Sequence, residues 1–190
     1  MPEPCRILPK GLYFVTLSVV GGIDIFTRYE YCELVVDNLN YCIDHKRLQV
    51  YEYAILPNQL NLIAGTEIGN LSKILRDFKS SSAKQILRAI AEHREDSRKE
   101  WLMRLFQFFA DRYQHNSEHH FWQFGNQPVD LDKLARVGKR IPSALDHLQN
   151  ARLIDGPIHY RYCSAYPGQR VRLAPLVTEE QGNYNNMASE

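Results

Sequence analysis

The chain has 190 residues, of which 44% are hydrophobic and 24% charged, and its formal net charge is +1. That is enough chain for one well-packed domain of ordinary composition. The near-zero charge excludes a uniformly basic nucleic-acid binder, so any basic surface must be local.

Cys5, Cys32, Cys42 and Cys163 lie far apart with no C-x-x-C pair, which argues against a zinc module and a disulfide scaffold. No apolar run is long enough to span a membrane, and the N-terminus lacks a signal-peptide core. The expected location is a reducing cytoplasm.

Residues 1–10 read as an irregular lead-in. Leu12 to Val20 is β-rich and ends at Gly21-Gly22, a first strand. Thr27 and Glu30 have capping-box spacing, with Phe26 and Tyr31 as a hydrophobic staple. Cys32, Val35, Val36, Leu39, Cys42 and Ile43 then recur at helical spacing, to about His45. Leu48 to Leu56 and Gln59 to Ala64 read as two strands around a Pro57-Asn58 turn. Tyr51 and Tyr53 share a face of the first strand, either as core residues or as stacking partners for bases. In the second strand Gln59, Asn61 and Ile63 fall on one face and Leu60 and Leu62 on the other. Two amides side by side on one strand face mark a candidate site.

Leu71, Ile74, Leu75, Phe78, Ser82, Ile86 and Ile90 form the clearest helical stripe. At about 100° per residue, Lys73, Arg76, Lys84 and Arg88 fall opposite it, with Lys79 on the flank. Such a face is either a solvated helix surface or a phosphate-contacting one, with Ser80, Ser81 and Ser82 as added hydroxyl donors.

Residues 92–100 read as a mixed-charge, solvent-exposed junction. Trp101, Leu102, Leu105, Phe108 and Phe109 predict an amphipathic helix ending near Tyr113. His115, His119 and His120 cluster in a polar loop, but no carboxylate or thiol stands at metal-ligand spacing beside them. Phe121 to Phe124 predicts another strand. Asp130 caps a helix from Leu131 that kinks at Pro142 and resumes through Leu145, Leu148 and Ala151. Residues 165–176 read as irregular. One domain over 1–177 and a polar, mobile tail over 178–190 complete the expectation.

Leu56-Pro57-Asn58-Gln59-Leu60-Asn61-Leu62 resembles the Met-Pro-Asn-His-hydrophobic-His-Leu signature of the single-tyrosine (HUH) transposases, among them the REP-associated tyrosine transposases. Leu71 to Lys79 looks like that family's helix after the signature, and Ser97 to Leu102 like an extension found in one branch. Phe121-Trp122-Gln123 is similar to its Trp-Gln strand, and Tyr160 to Ala165 to its Tyr-x-Tyr-Ser-Ser-Ala segment. The resemblance runs from Gly11 to Ala165. It implies an α+β fold, a ferredoxin-like antiparallel sheet packed with helices. It also implies the family chemistry: DNA strand transfer through a covalent phosphotyrosine, with magnesium or manganese held by two histidines and a third polar ligand.

The chain departs from that pattern at each reacting position. Gln59 and Asn61 stand for the histidines, His147 for the tyrosine and Ala151 for the third ligand. Neutral amides are poor ligands for a divalent ion. The resemblance therefore implies a homodimeric protein that binds hairpin or single-stranded DNA through Lys73, Arg76, Lys79, Lys84 and Arg88, with no catalytic site intact, no metal ligands and no cofactor. Two rivals remain open. One is a relocated cleavage centre with Tyr160 or Tyr162 as nucleophile and His115, His119, His120 or His159 as ligands. The other is a dimeric interaction module that no longer touches DNA.

Overall fold

The computed structural model describes residues 11–68, 70–113, 118–125, 128–140, 142–146, 148 and 156–175. The expected tail over 178–190, and His115, His147 and Ala151, lie outside the described residues.

The elements are β1 (Leu12–Ser18), α1 (Tyr29–Lys46), β2 (Gln49–Leu56), β3 (Gln59–Gly65), α2 (Leu71–Glu92), α3 (Lys99–Arg112), β4 (Val129–Asp130) and α4 (Leu131–Arg136). The sheet order is β2-β3-β1-β4, with every pair antiparallel. This is the split β-α-β, ferredoxin-like arrangement, and the α+β expectation holds. One face of the sheet carries Tyr13, Val15, Leu17, Tyr53, Leu60 and Leu62, which share the main core with the inner sides of α1 and α2. The other face carries Thr16, Ala54, Leu56, Gln59 and Asn61.

Local sequence explains most of these elements. β1 alternates strictly between half-buried and buried positions, the period-2 pattern of a strand. α2 begins at Asn70, whose side chain accepts from the Lys73 backbone N–H. It buries Leu71, Ile74, Leu75, Phe78, Ser82, Ile86 and Ile90, as the spacing predicts. The polar break in that stripe has a purpose. Ser82 Oγ donates to the Phe78 carbonyl at 2.7 Å and accepts from Trp122 Nε1 at 3.0 Å, so the buried indole N–H is satisfied inside the core. Cys32 and Cys42 are core residues on α1, also as expected.

Several expectations are corrected. The capping box at α1 does not form. The helix starts two residues after Thr27, with Arg28 at the cap position and no side-chain cap bond. The Thr27 hydroxyl instead donates to the Asp24 carbonyl and accepts from Arg98. A register shift between Val50 and Glu52 separates the two tyrosines of β2. Tyr53 is buried in the core, while Tyr51 is half-buried with its hydroxyl on Gln49 Oε1. α3 turns Leu102, Phe106 and Ala110 inward and leaves Trp101 and Phe108 outside. Phe121 to Phe124 is not a strand. Trp122 makes one bridge to Val19, and the paired element is Val129–Asp130. Asp130 does cap α4, accepting from Lys133 N, but that helix ends at Arg136 before Gly138 with φ 65°; it never reaches Pro142.

The outer side of β2, and part of the outer side of β1, are occupied by the chain itself. On the β1 side, Gln123 N donates to Ser18 O and Val20 N to Phe121 O, and β4 pairs with Tyr13 and Phe14. On the β2 side runs a strap over residues 156–175. Ile55 N donates to Tyr162 O, Ser164 N to Tyr53 O and Ala174 N to Val50 O. Arg170 pairs with Glu33 and Asp37, and Arg172 with Asp44, fastening the strap along α1. Gly21, with φ 63°, lets the chain turn after β1 under α3; a Cβ there would overlap the Phe109 ring.

The junction over 92–100 is not solvent-exposed throughout. The side chain of Asp96 is fully buried and lies 3.1 Å from Arg28 Nε and 3.2 Å from Arg98 Nε. Tyr31 donates its hydroxyl to Asp96 Oδ2 at 3.2 Å. Burial opposes the Asp96 charge, but the Arg98 hydrogen bonds and the Arg98 and Arg28 charges outweigh it and hold the carboxyl below its ordinary value. A carboxyl depressed in the folded state contributes stability above its unfolded value near 4, and loses it as pH falls through the folded value. Asp96→Asn is expected to lower stability by about 2–3 kcal/mol. This is the lower end for a broken buried pair, because both guanidinium groups remain a third exposed and partly screened. Urea unfolding at pH 7 measures that loss. Repeated below pH 4, the difference between the variant and the parent is expected to shrink.

Candidate functional site

The two amides on the second sheet face belong to one hydrogen-bond group. Antiparallel pairing sets Thr16 opposite Asn61 and Ser18 opposite Gln59. The Thr16 hydroxyl donates to Asn61 Oδ1 at 3.0 Å, and Gln59 Nε2 donates to the same oxygen at 3.2 Å. Asn61 is fully buried. An amide oxygen has two lone pairs, and both of these accept. Both lone pairs of that oxygen are therefore engaged within the sheet.

The wall over this face comes from late in the chain. Leu148 and Cys163 are buried against Ala54 and Leu56, with Leu145, Tyr160 and Tyr166 packed around them. Glu52 Oε2 holds that wall, accepting from Ser143 Oγ at 2.7 Å and from Ala144 N at 3.1 Å. Cys163 Sγ donates to the Pro157 carbonyl, and burial pushes its thiol up, the opposite of an activated thiolate.

The tyrosines proposed as a relocated nucleophile are held as donors. Tyr160 donates its hydroxyl to Ile55 O at 2.7 Å, and burial pushes its pKa up to about 12. Tyr162 donates to Glu33 Oε1 at 3.0 Å, and burial, with Glu33 beside it, raises its pKa as well. A phenol so placed resists the deprotonation that attack on a phosphate requires. Their packing against the sheet is the alternative that the geometry favours.

The described histidines of that reading do not converge on a metal site. His120 is buried, stacked on Phe124 at 4.3 Å and edge-on to Tyr113 at 5.4 Å. His119 is half-buried beside Glu118, and His159 is exposed in a short helical turn. Among the described residues no three His, Cys, Asp or Glu side chains come together as a metal site would need.

The basic residues of α2 lie on the outer side of the helix layer, away from Asn61. Lys73, Arg76 and Lys84 are exposed, and among the described residues none has an ion-pair partner. The other two differ. Arg88 pairs with Glu92 one turn on at 2.8 Å, both well exposed, a contact of small worth. Lys79 is half-buried and donates to the Gln123 carbonyl at 2.7 Å, and burial lowers its pKa. Asp77, the single acid among them, is taken by Lys46 at 2.6 Å. Sequence reading missed Thr16 as the third member of the amide group. Its signal was the strand alternation that sets it opposite Val15 and Leu17.

No protein-family model and no curated protein matches the chain. Among solved structures it is similar to a REP-associated tyrosine transposase bound to a REP hairpin, with 14% identity and a TM-score of 0.42 over 80% of this chain and 87% of that one.

Removal of the shared acceptor tests the amide group. Asn61→Ala leaves the Thr16 hydroxyl and the Gln59 amide without their shared acceptor and is expected to cost about 1–3 kcal/mol, read as a lower urea midpoint. Millimolar manganese is expected to leave the parent melting temperature unchanged, whereas a bound ion would raise it.

Proposed function

We propose that this chain is a DNA-binding protein of the single-tyrosine transposase type that holds hairpin or single-stranded DNA and does not cut it. The observation that carries the proposal is the outer stripe of α2. Lys73, Arg76 and Lys84 are exposed along it, and Asp77, the only acid from 71 to 90, is occupied by Lys46. From 73 to 88 that stripe is about 22 Å long at 1.5 Å per residue, a length that tracks several phosphates. Neutralising phosphates releases their counterions, so such a stripe supplies affinity without reading sequence.

The second sheet face supports the other half of the proposal. The positions that resemble metal ligands, Gln59 and Asn61, are spent on each other and on Thr16. The cation stripe and this face are also separated by the sheet and the helix layer, so DNA on α2 does not reach Asn61. Binding needs no metal and no cofactor in this account. Lys79 and Arg88 have smaller shares, the first because it ties α2 to residue 123 and the second because Glu92 competes for it. A homodimer, where it forms, uses a surface other than the edge of β2, which residues 156–175 already cover. Among the described residues no helix is long and apolar enough to cross a membrane, and the proposed setting is the cytoplasm.

The test is a gel shift with fluorescent hairpin and single-stranded DNA at low salt, run with and without manganese and repeated under denaturing conditions. A native shift with no denatured adduct is expected. Affinity is expected to fall steeply with salt. Lys73→Glu with Arg76→Glu is expected to weaken binding at least tenfold and to flatten the salt dependence by roughly the two lost contacts. Unchanged affinity in that variant removes α2 from the account, and a covalent adduct overturns the non-cutting assignment.

A further inference from the structure

We infer that the outer face of α3 is a stacking surface for the unpaired bases of single-stranded DNA, an inference that rests on the DNA-binding proposal. α3 keeps two large aromatics outside its core contact. Trp101 is 55% exposed and Phe108 52%, on a helix whose inward side is already filled by Leu102, Phe106 and Ala110. Flat apolar rings held in water on a rigid helix are costly unless something covers them.

The residues between the rings identify the cover. Trp101, Arg104, Phe108 and Arg112 follow one another at helical spacing, so at about 100° per residue they form one stripe within roughly 80° of arc. Arg104 and Arg112 are both exposed. Arg104 has only a loose contact of 3.9 Å to Glu100, with both side chains more than four-fifths exposed. The acids of the helix, Glu100 and Asp111, fall to one side of the stripe. A face that alternates ring and guanidinium suits a strand that alternates base and phosphate. Bases stack on the rings, and guanidinium groups both stack and pair with phosphates. A purely apolar partner would leave those two charges desolvated.

The helix that carries the stripe also lies beside α2. α3 packs against α2, and Lys79 on the α2 flank holds the carbonyl of Gln123. The next residue, Phe124, meets Tyr113 at the end of α3, with ring centroids 5.6 Å apart. Phosphates on α2 and bases on α3 therefore fall on neighbouring helices.

The chain has two tryptophans, and they separate cleanly. Trp122 is buried with its indole bound to Ser82, while Trp101 is half exposed. Titration of the full chain with oligothymidylate is expected to quench the Trp101 emission and leave that of Trp122. Trp101→Leu should abolish the quench. Trp101→Leu and Phe108→Ala should each weaken oligothymidylate binding roughly fivefold or more, with an unchanged circular dichroism spectrum. An abasic oligomer with the same phosphates should bind more weakly, with an affinity that neither substitution alters. Equal affinity for the two oligomers by fluorescence anisotropy, without quenching, overturns the stacking surface and leaves the α2 contacts standing. No binding of either oligomer at low salt overturns both. A blue shift of Trp101 that grows with protein concentration in the absence of DNA overturns the inference by assigning the face to a second copy of the chain.

Discussion

β3 is covered on both faces, and that constraint organises the rest of the molecule. Its Leu60 and Leu62 share the core with the helices, and its Asn61 is fully buried on the face where Leu148 and Cys163 pack against Ala54 and Leu56. A polar side chain enclosed in this way must find its partners within the protein. Asn61 does so by sharing one oxygen between Thr16 and Gln59.

Distant parts of the chain are tied by a second buried polar group. Asp96 collects Arg28 and Tyr31 from the start of α1 and Arg98 from the start of α3. Arg98 in turn reaches the Asp24 carbonyl and the Thr27 hydroxyl. The turn before α1 and the junction between α2 and α3 are therefore fixed to each other by charge-assisted hydrogen bonds. Those bonds set where α3 sits, and so which of its faces remains in water.

How much of this was legible in the sequence differed by element. The inner face of α2 was readable to the residue, because one strong period runs unbroken for 22 residues. The hairpin of β2 and β3 was readable from its Pro57-Asn58 turn. The helix α3 and its end near Tyr113 were readable too, but its inner face was not, since Trp101, Leu102, Leu105, Phe108 and Phe109 outline a different apolar arc from the one the core selects, and Phe106 with Ala110 decides it only once α2 is in place. Phe121 and Trp122 looked like strand residues by propensity. Both are buried in the same core, however, which successive residues of a regular strand cannot achieve. Asp96 was hidden by its neighbours, since nothing in a run of mixed charges marks the one that Arg28 will meet. In the candidate site the amides were visible, Thr16 was not singled out, and the commitment of Tyr160 and Tyr162 as donors needed three dimensions.

The covered edge of β2 bears on the order in which the chain can be assembled. Synthesis from the N-terminus releases β1, the β2–β3 hairpin and all three long helices well before residues 156–175 appear. Until then the outer backbone of β2 at Val50, Tyr53 and Ile55 has no partner. An unpaired strand edge is an adhesive surface, and nascent chains meet one another at such edges. The strap over 156–175 thus ends the period in which this chain is prone to self-association, and a ribosome that stalls before it leaves a folded core with an open side.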